Sequence, residues 1–265
     1  MTRMKKSNKL AIAVVGDFRF LRRYLFSFVN QVRKIGKYKG EILVITSHFT
    51  PVFLLKFFLR DKYIKIYRFK KIKFSRRANQ ALNDINIPGK PNRHKTKKFQ
   101  WHKFHLFDEK LKNWDKIFYI DINMKIHFDI EPILKLNPEN KLFARADSYP
   151  EYDIDLSSQF FNESIYYEKL VNNFDLSKKD YFQTGIMFYD TKIIKSDTKD
   201  NLIKLVEEFP LSSTNEQGIM NLHFGLEEKN YQELDINVGE YITYFYWMKK
   251  DEKIIITKQS REQYK

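Results

Sequence analysis

Residues 10–15 form an unbroken aliphatic run that stops at Gly16 and Asp17. A segment apolar at every position predicts a strand buried on both faces. Across residues 20–35 the apolar positions are Leu21, Leu25, Phe28, Val29 and Val32, with Gly36 just beyond. That spacing, close to 3.6, predicts an amphipathic helix closed by glycine. Two short runs, residues 41–46 and 64–69, predict further strands. Strand and helix in alternation predict a doubly wound, mostly parallel sheet. Right-handed crossovers then bring the strand ends at Asp17 and at Thr46-Ser47 to one edge.

The pattern lapses over residues 75–99, where large apolar residues are few, Pro88, Gly89 and Pro91 interrupt, and a basic run follows. A loop or mobile lid is expected there. Helical spacing returns over residues 101–111, and residues 116–120 predict a buried strand that ends at Asp121. A second apolar run covers residues 124–130. Residues 148–179 mix polar and aromatic positions, which predicts irregular structure over a cleft. Residues 181–189 predict a strand, and residues 201–209 a helix ending before Pro210. Ser213 and Glu216 have the spacing of a capping box opening a helix that carries Gln217, Met220 and Asn221. Beyond Tyr241, aromatic residues and then residues 254–257 predict a last strand, with a basic tail over residues 249–265.

With 265 residues, the chain has room for one large α/β domain with a full core. Its lack of Cys excludes a disulfide scaffold and thiolate chemistry, and leads us to expect a reducing, cytoplasmic compartment. No leader pattern opens the sequence, and no apolar stretch approaches the ~20 residues of a membrane helix. A soluble or peripheral protein is expected. The formal charge of +15 favours anionic partners: nucleic acid, an anionic membrane surface or a phosphate-bearing small molecule.

Candidate chemistry concentrates where the strand over residues 116–120 ends. Side chains two apart in extended chain face one side, so Asp121 and Asn123 can offer oxygens to one ligand. Oxygen donors beyond a strand's carboxyl end suit a hard divalent cation that also holds water and phosphate. The competing reading is a strand-end turn in which both side chains cap backbone groups.

With Asp115, Lys116, Tyr119, Asp129, Ile130, Pro132 and Leu134 added, the segment resembles the D-x-D block of GT-A glycosyltransferases. The likeness is to the glycogenin-like and lipopolysaccharide-galactosyltransferase families. Lys103-Phe104-His105 is similar to the basic helix before that block. Residues 181–187, YFQTGIM, resemble the acceptor-side strand, and residues 216–221, EQGIMN, resemble the D-Q-x-x-L-N block. The resemblance implies a GT-A (Rossmann-like) fold in one domain over residues 1–265. Its nucleotide-binding half would span about residues 9–125 and its acceptor side about residues 126–245.

The resemblance also implies a retaining transfer from a nucleotide sugar, with UDP the expected nucleotide, to a glycan or glycolipid. Asp121 and Asn123 would hold Mn²⁺ or Mg²⁺. Asp17, Phe18, Lys103, Asp121 and Asp147 would bind the donor, and Gln217, Glu216 and Gln183 would lie near the reacting carbon. Two departures bear on the cation: Asn123 stands where the family has Asp, and Thr257 stands where it supplies a His. Were the ion weakly held, the basic residues Arg93, His94, Lys95, Lys97, Lys98 and Lys103 could neutralise phosphate instead. His223 is expected to be a structural helix residue rather than the missing ligand. A basic nucleic-acid-binding or scaffold module on a degenerate transferase fold is the alternative. Against it, the basic residues form no helix face or aromatic-interleaved sheet of a known reader. The tail could dock on anionic lipid.

Overall fold

A computed structural model describes residues 9–58, 61–147, 153–246 and 252–258. Among them the strands are β1 (Leu10–Val15), β2 (Glu41–Ser47), β3 (Ile64–Phe69), β4 (Lys116–Ile120), β5 (Lys125–Ile126), β6 (Leu142–Ala146), β7 (Phe182–Asp190), β8 (Tyr231–Glu233), β9 (Asn237–Val238), β10 (Tyr241–Phe245) and β11 (Ile254–Thr257). Seven of them make a sheet ordered β3-β2-β1-β4-β7-β6-β8, and four make a smaller sheet ordered β5-β11-β10-β9. β1 pairs in parallel with β2 and β4, and β2 with β3. β7 runs antiparallel to both β4 and β6. The large sheet is therefore mixed and mostly parallel, with helices packed on it.

Alternation along the central strands divides the core into two layers. Ala11, Ala13, Leu43, Ile45 and Tyr119 face one layer, while Ile12, Val14, Ile42, Val44 and Phe118 face the other. The helix Phe18–Asn30 covers the second layer with Leu21, Leu25, Phe28 and Val29. It does not continue as a regular α-helix to Ile35. Over Gln31–Ile35 the bonding widens, and Gly36 N–H donates five residues back to Gln31 O at 2.8 Å. That turn aims Gln31 at the smaller sheet, where its Oε1 accepts from Ile126 N–H at 3.0 Å.

Other expectations need correction. Residues 75–99 are not a loop: they carry the helices Arg76–Asp84 and Arg93–Thr96 and bury Ala78, Leu82, Ile85 and His94. The first helix turns only a narrow apolar stripe inward. Its start is fixed from outside, where Glu207 accepts from Ser75 N–H at 2.6 Å. The segment 101–111 is not α-helical but bonds in tight 3₁₀ turns over Lys98–Phe107 and Glu109–Asn113. Residues 153–179 hold the helix Tyr167–Asn173, while residues 148–152 lie outside the described residues. The last strand expected over residues 254–257 is β11, whose Ile254, Ile255 and Ile256 are fully buried, so the basic tail does not include them. Residues 249–251 and 259–265 lie outside the described set.

Candidate functional site

β4 delivers Asp121 to the carboxyl edge of the large sheet, and Asp121 N–H is fixed there by Gly185 O of β7 at 2.8 Å. Because β7 runs against β4, its early residues Gln183 and Thr184 meet the strand end that carries Asp121. Ligands of open α/β sheets gather beyond this edge.

Three groups converge on the Asp121 carboxylate. Tyr119 O–H donates to Oδ1 at 2.5 Å, Lys103 Nζ lies 3.1 Å from the same oxygen, and Lys258 Nζ lies 3.3 Å from Oδ2. Lys103 comes from the 3₁₀ segment and is only 5 % exposed. It also sits 2.9 Å from Oε1 of Glu216, which is 1 % exposed, and donates to Thr184 O at 3.1 Å. Thr184 O–H donates to Glu216 Oε1 at 3.0 Å. Burial pushes the Asp121 carboxyl up, yet Lys103, Lys258 and the Tyr119 hydroxyl outweigh it and hold the group at about 2. Burial pushes Lys103 down, but Asp121 and Glu216 prevail and raise it. Lys103 is a buried cation bridging two carboxylates.

A second cluster adjoins the first through Thr184, whose N–H donates to Gln217 Oε1 at 3.3 Å. Gln217 Nε2 donates to Asp147 Oδ2 at 2.9 Å and to Gln159 Oε1 at 2.8 Å. Tyr246 O–H completes it, donating to Asp147 Oδ1 at 2.9 Å. A carboxylate held by neutral donors beside an ion-paired carboxylate gives two acceptors of different character. Such a pair suits a polyhydroxylated ligand next to an anionic one.

The capping box does not form. Ser213 O–H donates to Gln159 O, and Glu216 faces Lys103. Asn215 takes a positive φ of 56°, which turns the chain away from the capping geometry and presents Glu216 inward. Gln183 is buried beside Gly185, where an added Cβ would meet Met124 Cε at 2.5 Å and Gln183 Oε1 at 3.4 Å. Asp17 and Phe18 lie at the end of β1 on the same sheet edge, since β1 and β4 are parallel neighbours. The Asp17 carboxylate accepts from Phe20 N–H at 2.8 Å as a helix cap, and Phe18 packs on the core. His223 is a buried helix residue, with Nδ1 3.0 Å from Glu227 Oε2. Lys258, Tyr246 and Gln159 escaped sequence reasoning. For Lys258 the sequence offers only a charged residue two places beyond the apolar run 254–256, which does not point to Asp121.

The donor set does not fit a tightly held Mn²⁺ or Mg²⁺. Each Asp121 oxygen already faces an ammonium group. Asn123, on the turn after β4, adds a neutral oxygen only. Thr257 Oγ1 is engaged by His127 Nε2 at 2.8 Å. Among the described residues no group of three or more His, Cys, Asp or Glu side chains gathers as a metal cage. A hard dication there would have to displace both ammonium groups and rest on one carboxylate and one neutral amide oxygen of the protein.

The mixed sheet, with β7 reversed against β4, has the fold of GT-A glycosyltransferases. The chain is similar to the galactosyltransferase LgtC in complex with donor and acceptor sugar analogues, at 15 % identity, over 85 % of this chain and 73 % of that one, with TM-score 0.55. It is also similar to mouse xyloside xylosyltransferase 1, at 9 % identity, over 95 % and 97 % of the two chains, with TM-score 0.53. The mannosyltransferase Ktr4p of S. cerevisiae in complex with GDP matches at 12 % identity, over 86 % and 69 %, with TM-score 0.54. No protein-family model and no curated protein matches the sequence.

Proposed function

We propose that this chain transfers a sugar from a nucleoside-diphosphate donor to a hydroxyl of a glycan or glycolipid. UDP is the expected nucleotide and retention the expected stereochemistry. The observation that carries this is the meeting of the Asp121–Lys103–Glu216 ion pairs with the Gln217–Asp147–Gln159 network at one sheet edge. Similar folds bind donor and acceptor sugar analogues in LgtC and GDP in Ktr4p, which supports the same ligand class here. In the transfer, the bond from the anomeric carbon to the diphosphate breaks with its electron pair leaving on phosphate. The acceptor oxygen forms the new bond, and its proton passes to the departing diphosphate. Lys103 would keep Asp121 ionised and hold Glu216 in place, while Gln217 and Asp147 would orient the sugar.

Thermal shift against a panel of nucleotide sugars tests the reading, since a ligand preferring the native state raises the melting point. One sugar nucleotide should raise it by several degrees, and none doing so would overturn the assignment. Asp121→Ala is expected to lower kcat/KM about a hundredfold or more, because fixed charges at a reacting centre contribute on that scale. Its fold should persist, as Lys103 keeps Glu216 as partner. Turnover equal to wild type would remove Asp121 from the site.

A cytoplasmic location with docking on anionic lipid belongs to the same proposal. Among the described residues no helix is long and apolar enough to cross a membrane. Flotation with phosphatidylserine vesicles at low and high salt checks the docking, which should vanish at high salt.

A further inference from the structure

Asp121 has both oxygens opposite lysines, and Lys258 is the less buried of the two, with a third of its side chain exposed. It can therefore reach a ligand while holding Asp121. β11 places it there: Thr257 pairs with Lys125, so the following residue lies beside the turn that leaves Asp121.

A second basic segment is tied to the Glu216 side of the site. The short helix Arg93–Thr96 is stitched to the Glu216 segment by Asn215, which is fully buried. The Asn215 side-chain amide donates to Arg93 O at 3.1 Å, to Lys97 O at 3.3 Å and to Gln100 Oε1 at 3.0 Å. Lys97 senses burial and the charges of Arg93, Lys258, Asp121 and Glu216, and is shifted downward. Tyr246, which binds Asp147, also senses Arg93. The tether sets the Arg93–Lys97 segment against the residue next to Glu216, which Lys103 joins to Asp121. The positive charges of Lys97, Arg93, Lys258 and Lys103 outnumber the negative charges of Asp121, Glu216 and Asp147. Such a balance repels a dication and attracts an anion.

We propose that the donor's diphosphate is bound without a divalent cation, held by Lys258 beside Asp121 and by Lys97 and Arg93 of the segment tethered next to Glu216. This rests on the nucleotide-sugar reading above. Lys258 contributes the charge a metal would have brought, and Asp121 orients that ammonium instead of ligating an ion. Arg93 supplies a planar fork matched to phosphate oxygens, and Lys97 a mobile point charge.

Titration calorimetry of the full chain with UDP, or with GDP where UDP does not bind, tests the clamp. Affinity should be the same in EDTA and in Mn²⁺. Lys258→Met should weaken UDP about tenfold or more, while uridine, which has no phosphate, binds the variant as it binds wild type. Lys258→Arg should retain most of the affinity. Lys97→Met, at an exposed position, should weaken UDP several-fold and serves where Lys258→Met does not fold. Binding lost in EDTA and restored by Mn²⁺ overturns the clamp but leaves the nucleotide-sugar reading standing. So does wild-type UDP affinity in both Met variants. No binding of either diphosphate in any arm overturns the two together.

Discussion

Lys103→Met is expected to lower stability by about 3–5 kcal/mol and to abolish transfer, because it leaves buried carboxylates without their cation. Met fills a similar volume, so the loss isolates charge from packing. Glu216 is the group that suffers most, being 1 % exposed and left with only the Thr184 hydroxyl. Its Oε2 has no hydrogen-bond partner among the described residues. Asp121 would keep Lys258 and Tyr119. Adding Glu216→Gln to Lys103→Met should therefore recover part of the stability, and a double-mutant cycle by urea unfolding measures the coupling. Additive effects in that cycle would mean that the bridge does not exist. Turnover should stay absent in the double variant, which separates the fold's use of Lys103 from the site's.

Acid is expected to destabilise the protein well above the range where carboxylates titrate. Burial pushes His94 down to about 4, helped by Lys98 and Lys71. It pushes His102 down to about 3, with His105, Lys71 and His48 adding repulsion, and His105 down to about 4, with Lys199 adding. All are nearly inaccessible in the fold. His94 Nδ1 accepts from Trp101 Nε1 at 3.1 Å, a bond that protonation would destroy. His102 and His105 stack on Phe99 and Phe69. The unfolded chain takes up protons near pH 6.5, whereas the native state resists them until about 4. Stability is thus full above pH 6.5 and falls as pH drops toward 4. Three such groups cost about 4 kcal/mol between pH 7 and pH 5.5. His127, lowered by burial and Lys125, acts in the same direction. Urea unfolding from pH 7.5 to 5 measures the slope. His102→Phe should remove about a third of it, and an unchanged slope would refute the assignment.

The first strands and helix are legible in the sequence because their burial follows a local pattern, nearly continuous in β1 and β2. Leu21, Leu25, Phe28 and Val29 reach the core at the spacing that the sequence displays. The segment 75–99 is not legible because its helices depend on distant partners. Glu207 holds Ser75, and Asn92 ties the following turn by donating to Leu82 O and Ile85 O at 2.8 Å. A pattern search weights large apolar residues, and this segment turns mainly Ala78 and Leu82 inward. Ser213 and Glu216 illustrate the opposite failure. A local motif was present, but the backbone of Asn215 and the charge of Lys103 overrode it. At the site, Asp121 was visible as a polar end to an apolar strand. Lys258 was not, because its approach to Asp121 depends on β11 pairing with β5, more than a hundred residues back along the chain.

That pairing makes one side of the site depend on the seating of β11. The pairings of the large sheet end at Glu233, whereas Lys258 follows a strand that the small sheet holds between β5 and β10. Loosening of β11 would withdraw Lys258 and uncover Ile255 and Ile256, which belong to the core layer shared with Ile12 and Val14. Grip on anions and the packing of that layer are therefore tied to one strand.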